Sequence, residues 1–230
     1  MRARTFMLRS FRALVSAGVF SLSLITVEAN DNPAFVAGDL IVKFTAASES
    51  GSLVTRAMQG DQAADRQLAA LAARLSQELG VAVAAVRVTS GNELVLSVDR
   101  DRATQSLRQV VMRDPAVRKA ARVDSPKTVL PAAQITLVLD LHRDSEAGKL
   151  VRQTAQAKRK TTKEVEALVA KLCVGADPQP SGHVSNRGQL VLTVDIAALT
   201  LDLIERLKRR PDVEYAQPSL IVKPYPGAGH

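Results

Sequence analysis

The stretch Pro211-Asp-Val-Glu-Tyr-Ala-Gln-Pro-Ser-Leu-Ile-Val-Lys-Pro-Tyr225, near the end of the 230-residue chain, has a weaker copy at Pro115-Ala-Val-Arg-Lys-Ala-Ala-Arg-Val123. When the sequence is shifted against itself by 96 residues, 93–124 aligns with 189–220 without a gap. Eleven of the 32 aligned positions are identical. An internal repeat fixes the unit of folding. The sequence therefore predicts two copies of one small domain.

Both copies show the same order of hydrophobic patterns. In the first copy, Asp61–Leu79 carries leucines at spacings of three and four, which predicts an amphipathic helix with Gly80 as its C-cap. A later helix ends before Pro115, because the residue preceding a proline is disfavoured in the α region. The predicted order is strand, helix, hairpin of two strands, helix and strand, at 39–44, 61–79, 86–89, 93–98, 102–113 and 117–123.

The second copy repeats this order, with predicted elements at 135–139, 162–172, 183–185, 189–194, 199–209 and 213–217. The long charged segment 140–161 either begins the first helix early or forms a loop. The order β-α-β-β-α-β, found twice, is that of the split βαβ or ferredoxin-like unit. The predicted class is therefore α+β, with two tandem ferredoxin-like domains, each a four-stranded antiparallel sheet carrying two helices on one face. The predicted domains are 30–124 and 134–225, joined by a linker at 125–133 and followed by a tail at 226–230.

Residues 1–29 have the pattern of a secretory signal peptide: a basic start, an apolar run over 13–27 and a small-residue cleavage site at Val27-Glu-Ala29. The apolar run is short for a membrane span, so no stable membrane insertion is expected after cleavage. The segment holds four arginines and one glutamate, and its removal lowers the formal net charge from +8 to +5. We expect a periplasmic or secreted protein.

Composition argues against nucleic acid as a partner. Lys158-Arg-Lys160 is a basic run, but aromatic residues make up only 3% of the chain and tryptophan is absent, so stacking platforms for bases are lacking. A solvated helix face is the favoured interpretation of the run. The single cysteine, Cys173, lies among apolar residues, which favours a buried position.

The sequence contains no recognisable catalytic set, metal site or cofactor motif, and we expect a protein that is not an enzyme. His142, His183 and His230 each lack a second ligand at metal-binding spacing. No glycine-rich phosphate loop is present. Asp99 and Asp195 follow the third strand of each copy, where capping of the next helix explains them.

The chain resembles the propeptide of subtilisin-type serine proteases, a family that includes stand-alone inhibitors. The resemblance rests on the opening strand Asp39–Phe44, the βαββαβ order and Pro211-Asp-Val-Glu-Tyr-Ala-Gln-Pro218 at the end of the last helix. It implies that the open sheet face docks on the protease. The segment after the last strand then enters the substrate groove as an added strand.

The resemblance also implies site residues in the second copy. Tyr225 would occupy the first subsite, and Pro226 after it disfavours cleavage because proline lacks an amide hydrogen. The implied partner is a subtilisin-like serine protease that the protein inhibits or helps to fold. The implied binding residues are Glu214, Tyr215 and Gln217 at the strand end, and Val222, Lys223, Pro224 and Tyr225 in the tail.

Two features depart from the family pattern. Gln217-Pro-Ser219 replaces the acidic residues that usually follow the last strand, and no protease domain follows within the sequence. In the first copy, Arg118-Lys119 and Arg122 make the corresponding strand basic. The alternative function is a non-inhibitory envelope module that binds another protein through its open sheets.

Overall fold

The computed structural model describes residues 35–123 and 133–221, an α+β structure with two four-stranded antiparallel sheets and six helices. The first half of the chain contains β1 (Phe35–Phe44), α1 (Glu49–Met58), α2 (Gln62–Leu79), β2 (Val83–Val88), β3 (Glu93–Val98), α3 (Arg100–Val111) and β4 (Val117–Val123). The second half contains β5 (Gln134–Leu141), α4 (Glu146–Gln156), α5 (Lys163–Leu172), β6 (Ser181–Val184), β7 (Leu190–Asp195), α6 (Ile196–Lys208) and β8 (Val213–Leu220).

Each sheet takes its fourth strand from the other half of the chain. The strand order of the first sheet is β2-β3-β1-β8, and that of the second sheet is β4-β5-β7-β6. The last strand of each repeat has therefore been exchanged. The expectation that each copy closes its own sheet, with Val117–Val123 and Val213–Gln217 as the closing strands, is wrong. The repeat boundaries 30–124 and 134–225 stay predictions, and the described residues 35–123 and 133–221 belong to one compact unit.

The physical reason lies in the connection between β4 and β5. Only ten residues separate these strands, and strands that are adjacent in sequence usually pair as antiparallel neighbours. The register runs from Val117 opposite Leu141 to Val123 opposite Thr136. Once β4 pairs with β5, one edge of β1 is left for β8. The signal peptide 1–29 lies outside the described residues, and so does the predicted linker 125–133 apart from its last residue.

Each half contains three helices, one more than the sequence pattern predicted. The helix α1 falls in a segment interpreted as a loop, and α4 falls in the segment left undecided. Both begin with the same cap: Ser48 Oγ accepts a hydrogen bond from Gly51 N at 2.9 Å, and Ser145 Oγ accepts one from Gly148 N at 3.0 Å. A Cβ at either glycine would collide with a backbone carbonyl, so a side chain is excluded at both positions.

Other local predictions are confirmed. Asp99 caps α3 by accepting a bond from Arg102 N, and Asp195 caps α6 by accepting bonds from the first-turn amides. Gly80 ends α2 in the left-handed conformation at φ 72°, where glycine has no steric penalty. The sequence reasoning therefore located these helix ends correctly.

The helix that precedes each exchanged strand packs on the same sheet as that strand. The helix α6 contacts β1 and β8 of the first sheet, and α3 contacts β4 and β5 of the second. Leu203 and Leu207 of α6 are completely buried in a hydrophobic core that continues through both halves. Burial of apolar side chains is the main favourable contribution to folding. The core therefore ties the two halves into one structure.

Equivalent backbone hydrogen bonds hold the two exchanges. Thr45 N donates to Asp212 O at 2.9 Å, and His142 N donates to Ala116 O at 2.8 Å. In the first sheet, Arg206 adds a link from α6 to the end of α2, since its Nη1 donates to Leu79 O at 2.8 Å. Two carboxylates hold this guanidinium, those of Asp177 and of Asp202.

A further bond between the halves yields a prediction. Gly38 N of β1 donates to Oγ1 of the fully buried Thr200 on α6 at 2.8 Å. Thr200→Val should leave a buried amide without a partner and lower the free energy of unfolding by about 1–3 kcal/mol. Urea unfolding followed by circular dichroism measures this change.

The repeat supplies a matched control for this prediction. Thr104 is equivalent in sequence to Thr200, and its hydroxyl makes the same bond to the carbonyl four residues earlier at 2.6 Å. Thr104 accepts no bond from the other half in the described part of the chain. Thr104→Val should therefore cost less than Thr200→Val, and equal losses would contradict the proposed importance of the Gly38 bond.

Candidate functional site

The candidate site is the face of the first sheet that is directed away from its helices. Alternation along each strand separates the two faces. Leu40, Val42 and Ala216 point into the core, so their neighbours point outward. We call this surface the first-sheet face, and its residues are Asp39, Ile41, Lys43, Arg87, Glu93, Val95, Ser97, Tyr215 and Gln217.

The exchange of β8 builds this face from both halves of the chain. Tyr215 lies opposite Lys43, which lies opposite Glu93, so one row crosses β8, β1 and β3. In the next row, Gln217 lies opposite Ile41. The sequence placed Tyr215 and Gln217 in a domain of the second copy alone. The structure instead brings them beside side chains from the first copy.

A polar cluster fixes the first of these rows. The hydroxyl of Tyr215 donates to Glu93 Oε1, and the Thr89 hydroxyl donates to Glu93 Oε2 at 2.6 Å. The ammonium group of Lys43 lies 5.9 Å from the centre of the Tyr215 ring, within the range of a cation–π interaction. Tyr215 is thereby held by contacts to two strands of the other half.

These contacts change the titration of both acids. The hydrogen bond from Thr89 and then that from Tyr215 lower the pKa of Glu93 below its ordinary value, because they stabilise the carboxylate. The bond to Glu93 raises the pKa of Tyr215, because the phenol must stay protonated to donate it. At neutral pH, Glu93 is therefore an ionised carboxylate and Tyr215 a neutral phenol.

Glu214 differs from its neighbours. The pairing of β8 with β1 shifts register between Lys43 and Phe44, and Glu214 lies in this bulge with an exposed side chain. Gln217 is also exposed, whereas Tyr215 is half-buried. The predicted tail residues Val222, Lys223, Pro224 and Tyr225 lie outside the described residues.

The sequence reasoning missed the contribution of the first half. The alternation of Asp39, Ile41 and Lys43 with buried Leu40 and Val42 was a usable signal for the outward face of β1. No comparable signal identifies the strand that pairs with the outer edge of β1. The candidates are β4 and β8, which have similar sequences.

The second sheet presents a different outward face. Ala121, Val138, Val191 and His183 form the row that corresponds to Gln217 and Ile41. The positions equivalent to Tyr215 and Glu93 hold Lys119 and Gln189, which cannot form the same cluster. The two repeats therefore differ on their outward faces, and among the described residues the polar cluster around Tyr215 belongs to the first-sheet face.

The described residues contain no group of three or more histidine, cysteine or acidic side chains arranged to hold a metal ion. Cys173 is buried, as predicted, and burial raises the pKa of its thiol to about 11. It is therefore protonated at neutral pH, whereas reactive cysteines require a stabilised thiolate. Within the part of the chain that the structure describes, none of the helices has the length and apolar character of a membrane span.

The cluster gives a prediction about pH. Because the pKa of Glu93 is lowered in the folded state, its contribution to stability is present above about pH 4.5 and is lost as pH falls through the folded pKa. Tyr215→Phe should move the pKa of Glu93 upward toward 4.5 and weaken this acid dependence. Carboxyl-carbon NMR titration of Glu93 measures the shift directly.

A double-mutant cycle provides the control for the cluster. Glu93→Gln and Tyr215→Phe should lower the unfolding midpoint at pH 7 by less together than the sum of their separate effects, because they break the same bond. Additive effects, or an unchanged Glu93 titration in Tyr215→Phe, would contradict the cluster.

Comparison with known proteins adds no family to these observations. No protein-family model, no curated protein and no solved structure matches this chain. The function of the first-sheet face has to be inferred from its own residues and geometry, together with the resemblance carried by the motifs of the sequence.

Proposed function

We propose that this protein is an exported, non-catalytic binding protein that inhibits, or assists the folding of, a subtilisin-like serine protease. Docking uses the first-sheet face, and the tail 222–225 enters the substrate groove of the protease. The observation that carries the proposal is the place of β8 at the edge of the first sheet. The chain leaves this edge at Leu220, immediately before the tail residues.

The strand order of the first sheet supports the proposed docking mode. The strands β1 and β2 are parallel to each other, and β3 lies between them antiparallel to both. This is the split βαβ arrangement, which β8 completes beside β1. We interpret the first sheet as one ferredoxin-like unit whose last helix and strand come from the second repeat. The second sheet has the equivalent strand order, with β4 in the place of β8, and would serve as a scaffold.

The edge position of β8 also suits strand addition. One side of β8 pairs with β1, and no described strand occupies its other side. An extended segment that continues from such an edge can pair with a groove in a partner through backbone hydrogen bonds. The side chains of Val222 and Tyr225 would then fill the fourth and first subsites.

Tail deletion tests the proposal most simply. Ending the chain at Ile221 should weaken inhibition of a susceptible subtilisin-type protease by about a hundredfold or more, because the groove-filling strand is removed. Ending the chain at Tyr225 removes only 226–230 and should retain inhibition, since the four proposed subsite residues remain. Inhibition constants for the full protein and both truncations measure this difference.

Two single substitutions test the proposed pose. Pro226→Ala restores an amide at the proposed cleavage position and should speed cleavage after Tyr225, as detected by mass spectrometry. Gln217→Glu should tighten binding about two- to fivefold if the face meets helix N-termini. If the full protein inhibits none of a panel of subtilisin-type enzymes, the proposal is wrong. Unchanged partner binding after the deletion at Ile221 would instead favour the envelope module.

A further inference from the structure

The second sheet carries a polar cleft that the proposed function does not use. It lies where the end of β5, the helix α4 and the β6–β7 turn meet, and its volume is about 390 Å³. Arg143 follows β5, Arg152 belongs to α4 and Arg187 belongs to the turn, and all three line the cleft. We call this feature the arginine cleft.

Local structure fixes the backbone elements that carry these arginines. The Nη2 group of Arg152 donates to Arg143 O at 2.6 Å, which joins α4 to the segment that follows β5. The turn that carries Arg187 closes through Gly188 N, which donates to Ser185 O at 2.9 Å. Gly188 has φ 69°, a conformation that favours glycine. The elements that bear the arginines are therefore fixed, and among the three side chains that of Arg152 is partly buried whereas those of Arg143 and Arg187 are exposed.

The arginines of the cleft are not neutralised by carboxylates of the described residues. None of the three forms an ion pair within 35–123 or 133–221. Asp140 is the acidic residue of the lining, and it already pairs with Arg118. The Nε group of Arg118 donates to Asp140 Oδ2 at 3.1 Å, and its Nη2 group donates to the same oxygen. The cleft therefore presents three guanidinium groups that no carboxylate of the described residues neutralises.

The other half of the chain shows that the repeat does not require these charges. The caps at Ser48 and Ser145 align the loops after β1 and β5, and the turns at 89–93 and 185–189 close through equivalent backbone bonds. The positions equivalent to the three arginines are Ala46, Thr55 and Gly91, and an acidic residue, Glu93, stands where the second half has Gln189. Asp140 of the lining stands where the first half has Lys43. Relative to its counterpart, the cleft has thus gained three arginines and lost one glutamate, while an aspartate replaces one lysine, so its formal net charge is higher by 3 + 1 − 2 = 2.

We propose that the arginine cleft binds a phosphate group carried by a small molecule or a lipid headgroup. A guanidinium offers five N–H donors in a planar fork, and phosphate accepts paired bonds from such forks. Three arginines without a carboxylate partner among the described residues, of which Arg152 uses one N–H group on Arg143 O, match the several oxygens and double negative charge of a phosphate monoester better than the single charge of a carboxylate. The cleft is separate from the first-sheet face, so this site does not depend on protease binding.

Titration calorimetry at low salt with pyrophosphate, and co-sedimentation with phosphatidylcholine vesicles with or without phosphatidic acid, whose headgroup is a phosphate monoester, test the proposal. The triple variant Arg143→Gln, Arg152→Gln, Arg187→Gln should bind about tenfold or more weakly, because the charge-assisted bonds are lost. The triple lysine variant should bind with intermediate affinity, since lysine keeps the charge without the fork. Pyrophosphate binding indicates a small molecule, and binding to the anionic vesicles alone indicates a lipid.

A matched variant separates a site from diffuse attraction. Arg66, Arg108 and Arg113 are exposed and lie outside the cleft, so their change to glutamine removes the same charge. This control should keep binding within about twofold of the wild type, and circular dichroism should show all variants folded. Equal losses in both triple variants would overturn the proposal. So would absence of binding to both phosphate probes, or binding of a poly-glutamate peptide alone.

Discussion

The pairing of β8 with β1, and of β4 with β5, is the constraint on which the other features of this structure depend. Each pairing brings a helix with it, so that α6 covers part of the first sheet and α3 part of the second. The buried faces of these helices make the core continuous across the two repeats. Neither sheet can be completed in this arrangement without a strand from the other half. The two copies are therefore repeats of the sequence but not separate folded units, because each sheet contains strands of both copies.

The exchange also determines which surfaces can act. Tyr215 reaches Glu93 only because β8 lies beside β1, with Lys43 between them in the same row. The tail that follows β8 consequently belongs to a face built mainly by the first repeat. On the second sheet, β4 brings Arg118 to Asp140, which leaves the arginines of the cleft without that carboxylate. The strand exchange thus gives Glu93 of the first-sheet face a hydrogen-bond partner from the other half. In the arginine cleft it instead pairs the carboxylate of Asp140 with Arg118.

Local features were predictable from the sequence, while the partners of strands were not. Periodicity and capping located the helix that ends at Gly80 and the capping aspartates Asp99 and Asp195, because these signals act within a few residues. The helices α1 and α4 escaped because the Ser-Glu-x-Gly-x-Leu-Val pattern at Ser48 and Ser145 repeats at 97 residues, one more than the shift of 96 that aligned the later segments. The choice between β4 and β8 as partner of β1 depends on tertiary packing of two similar strands. Local pattern carries no information about that choice.

Engineered disulfides test the exchange most directly. Ile41 and Gln217 lie directly opposite each other on β1 and β8, and opposed antiparallel residues have Cα atoms within the range that a disulfide spans. Ala121 is the repeat equivalent of Gln217 and would face Ile41 if each half closed its own sheet. The account predicts that Ile41→Cys with Gln217→Cys forms an intramolecular disulfide in the folded protein, whereas Ile41→Cys with Ala121→Cys does not. Peptide mapping by mass spectrometry distinguishes the two, and the reverse result would contradict the exchange.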